Sequence, residues 1–334
     1  MLSKKIGIDL GTANSLIYLQ TKGIVLNEPS VVAISVDDRR VVAVGNEAKE
    51  MLGRTPGNII ASRPMRDGVI ADYVVTEALL RYFIRRVCGR AFLFRPEVMV
   101  CIPAGCTQVE RRAVEDATMS AGARTVYTIP EPLAAAIGAQ IPIAEPSGNM
   151  VVDIGGGACE AAVISMGGVV VTKSLRVAGN KFDDAIASWI RKNYSLIVGE
   201  TTAEEIKILI GSAVIQKENK KISIKGRDSI SGLPKKIEIS ANEISDAIKI
   251  PLGQIVGLVK SVLEDVPPEL ASDIIDKGIV LSGGTSLLRN LDRLLTEQTG
   301  VACHVTEEPL LAVIKGIGMV LENLEMYKRS VTKR

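Results

Sequence analysis

A short pattern that occurs twice constrains this chain more than anything else in it. The apolar run Ile6-Gly7-Ile8 leads into Asp9-Leu10-Gly11-Thr12-Ala13-Asn14, and a second run, Met150-Val151-Val152, leads into Asp153-Ile154-Gly155-Gly156-Gly157. Each is followed by another β-rich stretch, Ser15–Leu19 and Cys159–Ser165, and then by Gly23 and Gly167 at equal distances past their aspartates. The repeating unit is strand, Asp-x-Gly, tight turn, strand, Gly. Glycines in such a turn let backbone N–H groups approach an anion closely. An aspartate beside phosphate most naturally holds a hydrated Mg²⁺. Two such hairpins facing one another would clamp a nucleoside triphosphate from both sides. A single Asp-x-Gly-Thr hairpin is ordinarily only a turn; the repeat with its spacing kept is what points to a ligand. A third glycine pair, Gly283-Gly284, follows the apolar run Gly278-Ile279-Val280 and suits a loop along which an adenine lies against backbone.

The remaining pattern is alternating. Three short strands over residues 4–28 open the chain, and residues 29–75 interrupt with Pro29, Pro56, Pro64 and many glycines. A helical spacing at Val75–Val87 precedes a continuous apolar strand at Glu97–Ile102, suited to burial on both faces. Thr107-x-x-Glu110 is a capping box for a helix ending near Gly122; a strand at Thr125–Ile129 and a helix at Pro132–Ala139 follow. The second half repeats the plan. A strand spans Val169–Ser174, and Asn180 caps a helix bearing Phe182, Ile186, Trp189 and Ile190. Residues 195–240 hold the helix Thr202–Ile210 and a hairpin at Lys221–Ser240. Ser240-x-x-Glu243 opens another helix, which Pro251 is expected to kink. The closing helix, with Pro309 near its start, carries Leu310, Val313, Ile314, Ile317, Leu321 and Leu324 on one face. Strands alternating with helices argue for a largely parallel or mixed sheet covered by helices, an α/β fold.

Bulk properties exclude several classes. The chain has 334 residues, 47% of them hydrophobic, which is enough for two well-buried domains. No run approaches the roughly 18–20 apolar residues of a spanning helix, and the polar start before Gly7 is no signal peptide, so a cytoplasmic protein is expected. A net charge of +2 leaves no nucleic-acid footprint. Five scattered cysteines without a C-x-x-C pair, and the single His304, argue against structural zinc and for free thiols in a reducing compartment. His304 reads as an ordinary strand-end residue.

With both hairpins in place, further segments carry a resemblance. They are Lys22-Gly23-Ile24-Val25-Leu26-Asn27-Glu28-Pro29-Ser30-Val31-Val32, Arg66-Asp67-Gly68-Val69-Ile70-Ala71-Asp72, Glu131-Pro132-Leu133-Ala134-Ala135-Ala136-Ile137-Gly138 and Ser231-Gly232-Leu233-Pro234. From the first strand to the last helix the chain resembles the actin/Hsp70/sugar-kinase superfamily and, within it, the MreB family of bacterial actin homologues. The resemblance implies an actin-like (RNase H-like) two-domain ATPase fold with mixed sheets covered by helices. Domain I would be residues 1–147 with 309–334, with an inserted subdomain at about 29–75. Domain II would be residues 148–308, with an insertion at about 195–240. The closing helix returns to domain I, so the chain crosses twice and forms a hinge over the nucleotide.

The same resemblance implies ATP/ADP as ligand, held by Asp9, Gly11, Thr12, Ala13, Asn14, Asp153, Gly155, Gly156, Gly157, Gly283 and Gly284. Asp9 and Asp153 would hold Mg²⁺ through water. Glu131 matches the family's catalytic glutamate; by itself, a Glu beside a Pro at a helix start is a favourable dipole partner. Glu204 and Lys207 lie on one helix face. They are either an ordinary surface ion pair or, as the resemblance implies, the bracket for the ribose. Phe92-Leu93-Phe94 packs a loop or, as in similar proteins, inserts into the inner membrane leaflet, with Met1-Leu2 assisting. Three motifs depart from the family pattern. Pro130-Glu131-Pro132 replaces Glu-Glu-Pro, Ala158-Cys159 replaces a Thr-Thr pair, and Thr285 stands where a third glycine is common. Ala158 removes a hydroxyl that would help Glu131 hold water, so weakened hydrolysis is expected. The function implied is a filament of slow ATPase subunits, paired in protofilaments. It would lie peripherally on the inner face of the cell membrane, work with transmembrane cell-elongation proteins such as RodZ and MreC/MreD, and maintain rod shape. An actin-fold small-molecule kinase is the alternative; an Hsp70-like chaperone would need a peptide-binding domain beyond Tyr327–Arg334.

Overall fold

The computed structural model describes residues 3–89 and 94–334. The repeat seen in the sequence becomes two sheets of like construction. The first has six strands in the order Thr332–Lys333, Thr125–Pro130, Glu97–Ile102, Lys5–Leu10, Asn14–Leu19, Gly23–Pro29. The second has five, in the order Gly168–Leu175, Cys159–Ser165, Asn149–Ile154, Ile279–Ser282, Cys303–Val305. In each, the aspartate-bearing strand runs antiparallel to its hairpin partner on one side and parallel to a crossover strand on the other. Asp9 lies opposite Leu16, and Asp153 opposite Glu160. These central strands are buried on both faces, as their unbroken apolar runs require.

Between the sheets lie two helices, Glu131–Gly138 and Ala312–Glu322. Their core joins Met99 and Ile129 of the first sheet to Val151 and Ala162 of the second through Leu133, Ile314, Ile317 and Val320. The helices meet backbone to backbone. A Cβ placed on Gly316 would lie 1.8 Å from the Ala134 carbonyl oxygen, and one on Gly138 would lie 1.8 Å from that of Ala312. The run Leu-Ala-Ala-Ala-Ile-Gly therefore combines helix propensity with the small volume that lets this layer fit. Leu79, Phe83 and Val100 build a core on the first sheet, and Phe182, Ile186 and Leu281 one on the second.

Residues 29–75 contain a three-stranded sheet (Val41–Val44, Val32–Ser35, Ile59–Ser62) and the helix Asn46–Met51. A further sheet of Leu196–Ile197, Lys221–Asp228 and Pro234–Ser240 accompanies the helix Glu200–Ile210. Ion pairs join these two elaborations, Lys49 to Glu204 at 3.2 Å and Arg63 to Glu200 at 2.7 Å.

Local capping signals hold. The Thr107 hydroxyl accepts from the Glu110 N–H, while the Glu110 carboxylate accepts from the Thr107 N–H. The Glu243 carboxylate accepts from the Ser240 N–H. One local expectation fails. The helix Gly179–Tyr194 starts one residue before Asn180, with Ala178 as N-cap and no side-chain cap, because the Asn180 N–H is drawn to the Gly156 carbonyl at 2.8 Å. Pro251 interrupts the helix as expected: the run opened at Ser240 breaks at Ile248, the C-cap of Ala241–Ala247 and the N-cap of Lys249–Glu264, and the proline then sits in the first turn, where no N–H is needed.

Candidate functional site

The two Asp-x-Gly turns lie against each other. A Cβ on Gly156 would meet the Ala13 Cβ at 2.8 Å, and one on Gly157 would meet the Thr12 hydroxyl at 2.3 Å and the Gly68 nitrogen at 2.9 Å. Only glycine permits this three-way approach of the turns and the Asp67-Gly68 bend. The Thr12 hydroxyl accepts from the Gly68 N–H at 3.1 Å. Behind the first turn, the Ser30 hydroxyl donates to the Gly11 carbonyl at 2.5 Å and is within 2.8 Å of the Ser15 hydroxyl. Behind the second, the Thr285 hydroxyl donates to the Gly155 carbonyl at 2.7 Å. Thr285 thus replaces a third glycine with a bond that fixes the turn. Gly283, at φ 80°, lies so near Ile154 that a Cβ would be 2.4 Å from its carbonyl oxygen.

One cleft is lined by both turns, by Gly283 and Gly284, by Ala158 and by three carboxylates, Asp9, Asp153 and Glu131. Asp9 and Asp153 are 8% and 3% exposed, and among the described residues no lysine or arginine pairs with either. Their bonds come from neutral groups. The Cys101 thiol lies 3.3 Å from Asp9, and the Ser282 hydroxyl donates to Asp153 at 2.5 Å. Burial pushes Asp9 up to about 7, with repulsion from Asp153 adding to the rise and the Cys101 bond opposing it. Burial likewise raises Asp153 to about 6 against the Ser282 bond. Glu131 is raised well above the usual carboxylate range by burial and then by Asp153, Glu160 and Asp9. Converging acids without a counter-charge call for a cation. Among the described residues no three His, Cys, Asp or Glu side chains are placed to hold a metal ion directly; two aspartates in an open cleft suit an oxygen-liganded, water-retaining Mg²⁺.

Glu131 is the first residue of its helix, entered from the strand Thr125–Pro130, and this strand-to-helix corner delivers it to the cleft. Glu160 is held differently: its carboxylate accepts from the Ala104 N–H, its oxygens at 3.0 and 3.1 Å, and burial raises it to about 7. Glu204 and Lys207 do not pair with one another. Lys207 donates to the Gly179 carbonyl at 3.0 Å and contacts Asp183 at 2.8 Å, while Glu204 reaches Lys49. Burial lifts Asp183 to about 6 in spite of Lys207. Phe92 and Leu93 lie outside the described residues; Phe94 is 60% exposed. Ser30 and Gly68 lie in segments that carry the resemblance, though their part in the site is not read from them; Ser282, directly before the Gly283-Gly284 pair, carries a local signal, and Cys101 and Asp183 escape a reading by motif.

Comparison with known proteins gives the family and the fold. The family described as MreB/Mbl protein matches residues 3–329. The chain is 53% identical over 332 residues to the cell shape-determining protein MreB of Escherichia coli (strain K12), covering 98% of this chain and 96% of that one. It is 48% identical over 325 residues to the cell shape-determining protein Mbl of Bacillus subtilis (strain 168), covering 97% and 98%. Among solved structures it is similar to MreB5 of Spiroplasma citri bound to ADP, with a TM-score of 0.92, 37% identity and 98% of each chain covered. The AMPPNP-bound form of that protein gives a TM-score of 0.93, again at 37% identity, over 98% of this chain and 99% of that one. MamK, solved as a double helical filament, shares the fold at a TM-score of 0.82 and 20% identity, over 96% and 99%. The fold is actin-like. A small-molecule kinase finds no support among these relatives.

Proposed function

Because the chain belongs to the MreB/Mbl family, we propose that it is an ATP-dependent, actin-like filament protein that organises cell-wall elongation and maintains rod shape. The observation that carries the nucleotide reading is the meeting of Gly156 with Ala13 and Gly157 with Thr12 in front of two buried aspartates that pair with no lysine or arginine among the described residues. Spiroplasma citri MreB5, with bound ADP and AMPPNP, supports the choice of ligand.

Backbone N–H groups of residues 11–14 and 155–157 would receive the phosphates, Gly283 and Gly284 would flank the adenine, and Glu204 and Lys207 would bracket the ribose. Asp9 and Asp153 would hold Mg²⁺ through water; when bound, the ion supplies positive charge against the phosphates. Burial, and then repulsion from Asp153, Glu160 and Asp9, raise Glu131; compensating the two aspartates would remove part of that repulsion, and the ionised carboxylate would accept a hydrogen bond from the attacking water. Ala158 contributes no hydroxyl to that water. Loss of one such bond costs about 1–3 kcal/mol, a slowing of roughly 5- to 150-fold if it falls on the transition state. Ala158→Thr is therefore expected to raise single-turnover phosphate release by about tenfold at unchanged ATP affinity. Release no faster than the parent's would mean that Cys159 or a second water already fills the role.

Membrane attachment is assigned to Phe92, Leu93 and Phe94, on the inner face of the cell membrane. The exposure of Phe94 supports it, and no helix among the described residues is long and apolar enough to span. Burying three such side chains stabilises by at most roughly 5–8 kcal/mol before ordering costs, so a lone subunit binds marginally and a filament binds through many copies. Sedimentation with ATP and Mg²⁺, with and without anionic liposomes, tests the whole reading. Pelleting is expected to require ATP, and Phe92→Ala with Phe94→Ala to abolish only the lipid-dependent part. Equal liposome binding by the double variant would refute the loop assignment, and absence of polymer under all conditions would refute the filament.

A further inference from the structure

A second recess, of about 270 Å³, shares no lining residue with the nucleotide cleft. Its polar lining consists of Arg111, Arg329, Thr128, Ser330 and Thr332, and among the described residues no carboxylate borders it. The chain elements that form it come from three places. They are the first sheet with the helix Gln108–Ser120, the hairpin turn at Gly167-Gly168 of the second sheet, and the segment leading into the last strand, where Thr332 lies opposite Thr128.

Two of its polar atoms lack partners. The Thr128 hydroxyl, on a residue 2% exposed, and the Arg111 Nε are buried and make no hydrogen bond. Thr128 stands on a sheet face otherwise filled by Val98, Val100 and Val126, where an apolar side chain would be expected. Arg111 reaches the Thr332 hydroxyl with Nη1 at a long 3.4 Å and lies beside the Cys106 thiol, which leaves its Nε unpartnered. The nearby acids are committed elsewhere: Glu110 to Arg176, and Glu115 and Asp116 to Arg334. Neither Arg111 nor Arg329 has a carboxylate within pairing distance among the described residues. A water could satisfy the hydroxyl, but it would leave the partly buried Arg111 guanidinium without an anion, with the exposed Arg329 adding positive charge at the same mouth. Buried polar groups without partners are costly, and arginine forks match tetrahedral oxyanions.

We propose that this recess binds a small phosphate-class oxyanion, either the free ion or the head of a small phosphomonoester. The Arg111 guanidinium and the Thr128 hydroxyl donate to its oxygens, and Arg329 balances its charge. Because the Ser330 hydroxyl donates to the Gly167 carbonyl at 3.1 Å, the ligand sits where the last segment is tied to the second sheet, and its binding stabilises that junction.

The test is thermal melting of the full chain, with AMPPNP and Mg²⁺ saturating the cleft so that added anions cannot act there. Inorganic phosphate and glycerol 1-phosphate are compared with chloride at equal ionic strength. The parent is expected to gain about 2–4 °C in either phosphate series. The larger gain identifies the free ion or the ester as the better ligand. Thr128→Val, which keeps the shape, is expected to match or exceed the parent in chloride and to lose the phosphate response. Arg111→Gln is expected to lose it as well. No gain for the parent in either phosphate, or an undiminished gain in these variants, overturns the proposal.

Discussion

Glu131→Gln is expected to slow single-turnover phosphate release by about 10²- to 10⁴-fold while leaving ATP bound at least as tightly as before. Glutamine keeps the size of the side chain at the helix start and loses only the ability to accept a proton. It also removes one of the acids that repel Asp9 and Asp153, so binding of an anionic nucleotide does not suffer. The nearest competitor for the role is Glu160, but both its oxygens are engaged by the Ala104 N–H. Rapid-quench phosphate release combined with nucleotide affinity separates the two effects. A change of less than tenfold would show that the water is positioned without Glu131.

Gly316→Val is expected to destabilise the protein by about 3–5 kcal/mol, read as a lower urea midpoint or a collapse in soluble yield. The added carbon would sit 1.8 Å from the Ala134 carbonyl oxygen, and the atom in the way belongs to backbone, which cannot rotate aside. The two helices would have to separate, opening the layer between the sheets. Gly253→Ala supplies the control. It lies exposed in the helix Lys249–Glu264 with nothing within 4 Å of the new Cβ, and a change of at most about 1 kcal/mol, toward stability, is expected. Equal effects at both positions would remove the crossing from any special role.

What could be read from the sequence was what is local or repeated. The twin hairpins announced two like sheets because strand, turn and glycine spacing are set within about twenty residues, and the boxes at Thr107 and Ser240 are set within four. Asn180 looked like a cap by residue type, yet a distant carbonyl, that of Gly156, claimed its N–H and moved the helix start. Glu204 and Lys207 looked like partners by spacing, yet stronger tertiary partners, Lys49 and Asp183, divided them. The supports of the two aspartates were invisible for the same reason. Cys101 stands 92 positions from Asp9, and Ser282 stands 129 from Asp153. Only parallel strand pairing brings them together, and no short-range pattern encodes that register.

The two ion pairs between the inserted elements have a consequence for how long a nucleotide stays. Both cations come from one side, Lys49 and Arg63, and both anions from the other, Glu204 and Glu200. Arg63 also donates to the Ala13 carbonyl at 3.3 Å, so this electrostatic clasp is anchored on the first phosphate turn itself. Partly exposed pairs of this kind contribute about 0–1 kcal/mol each and weaken as counter-ions crowd in. Escape of ADP is therefore expected to quicken about three- to tenfold between low and high salt, and Lys49→Ala to flatten that dependence. The lifetime of each nucleotide state would then follow the ionic strength around the protein, with no change in the residues that touch the phosphates.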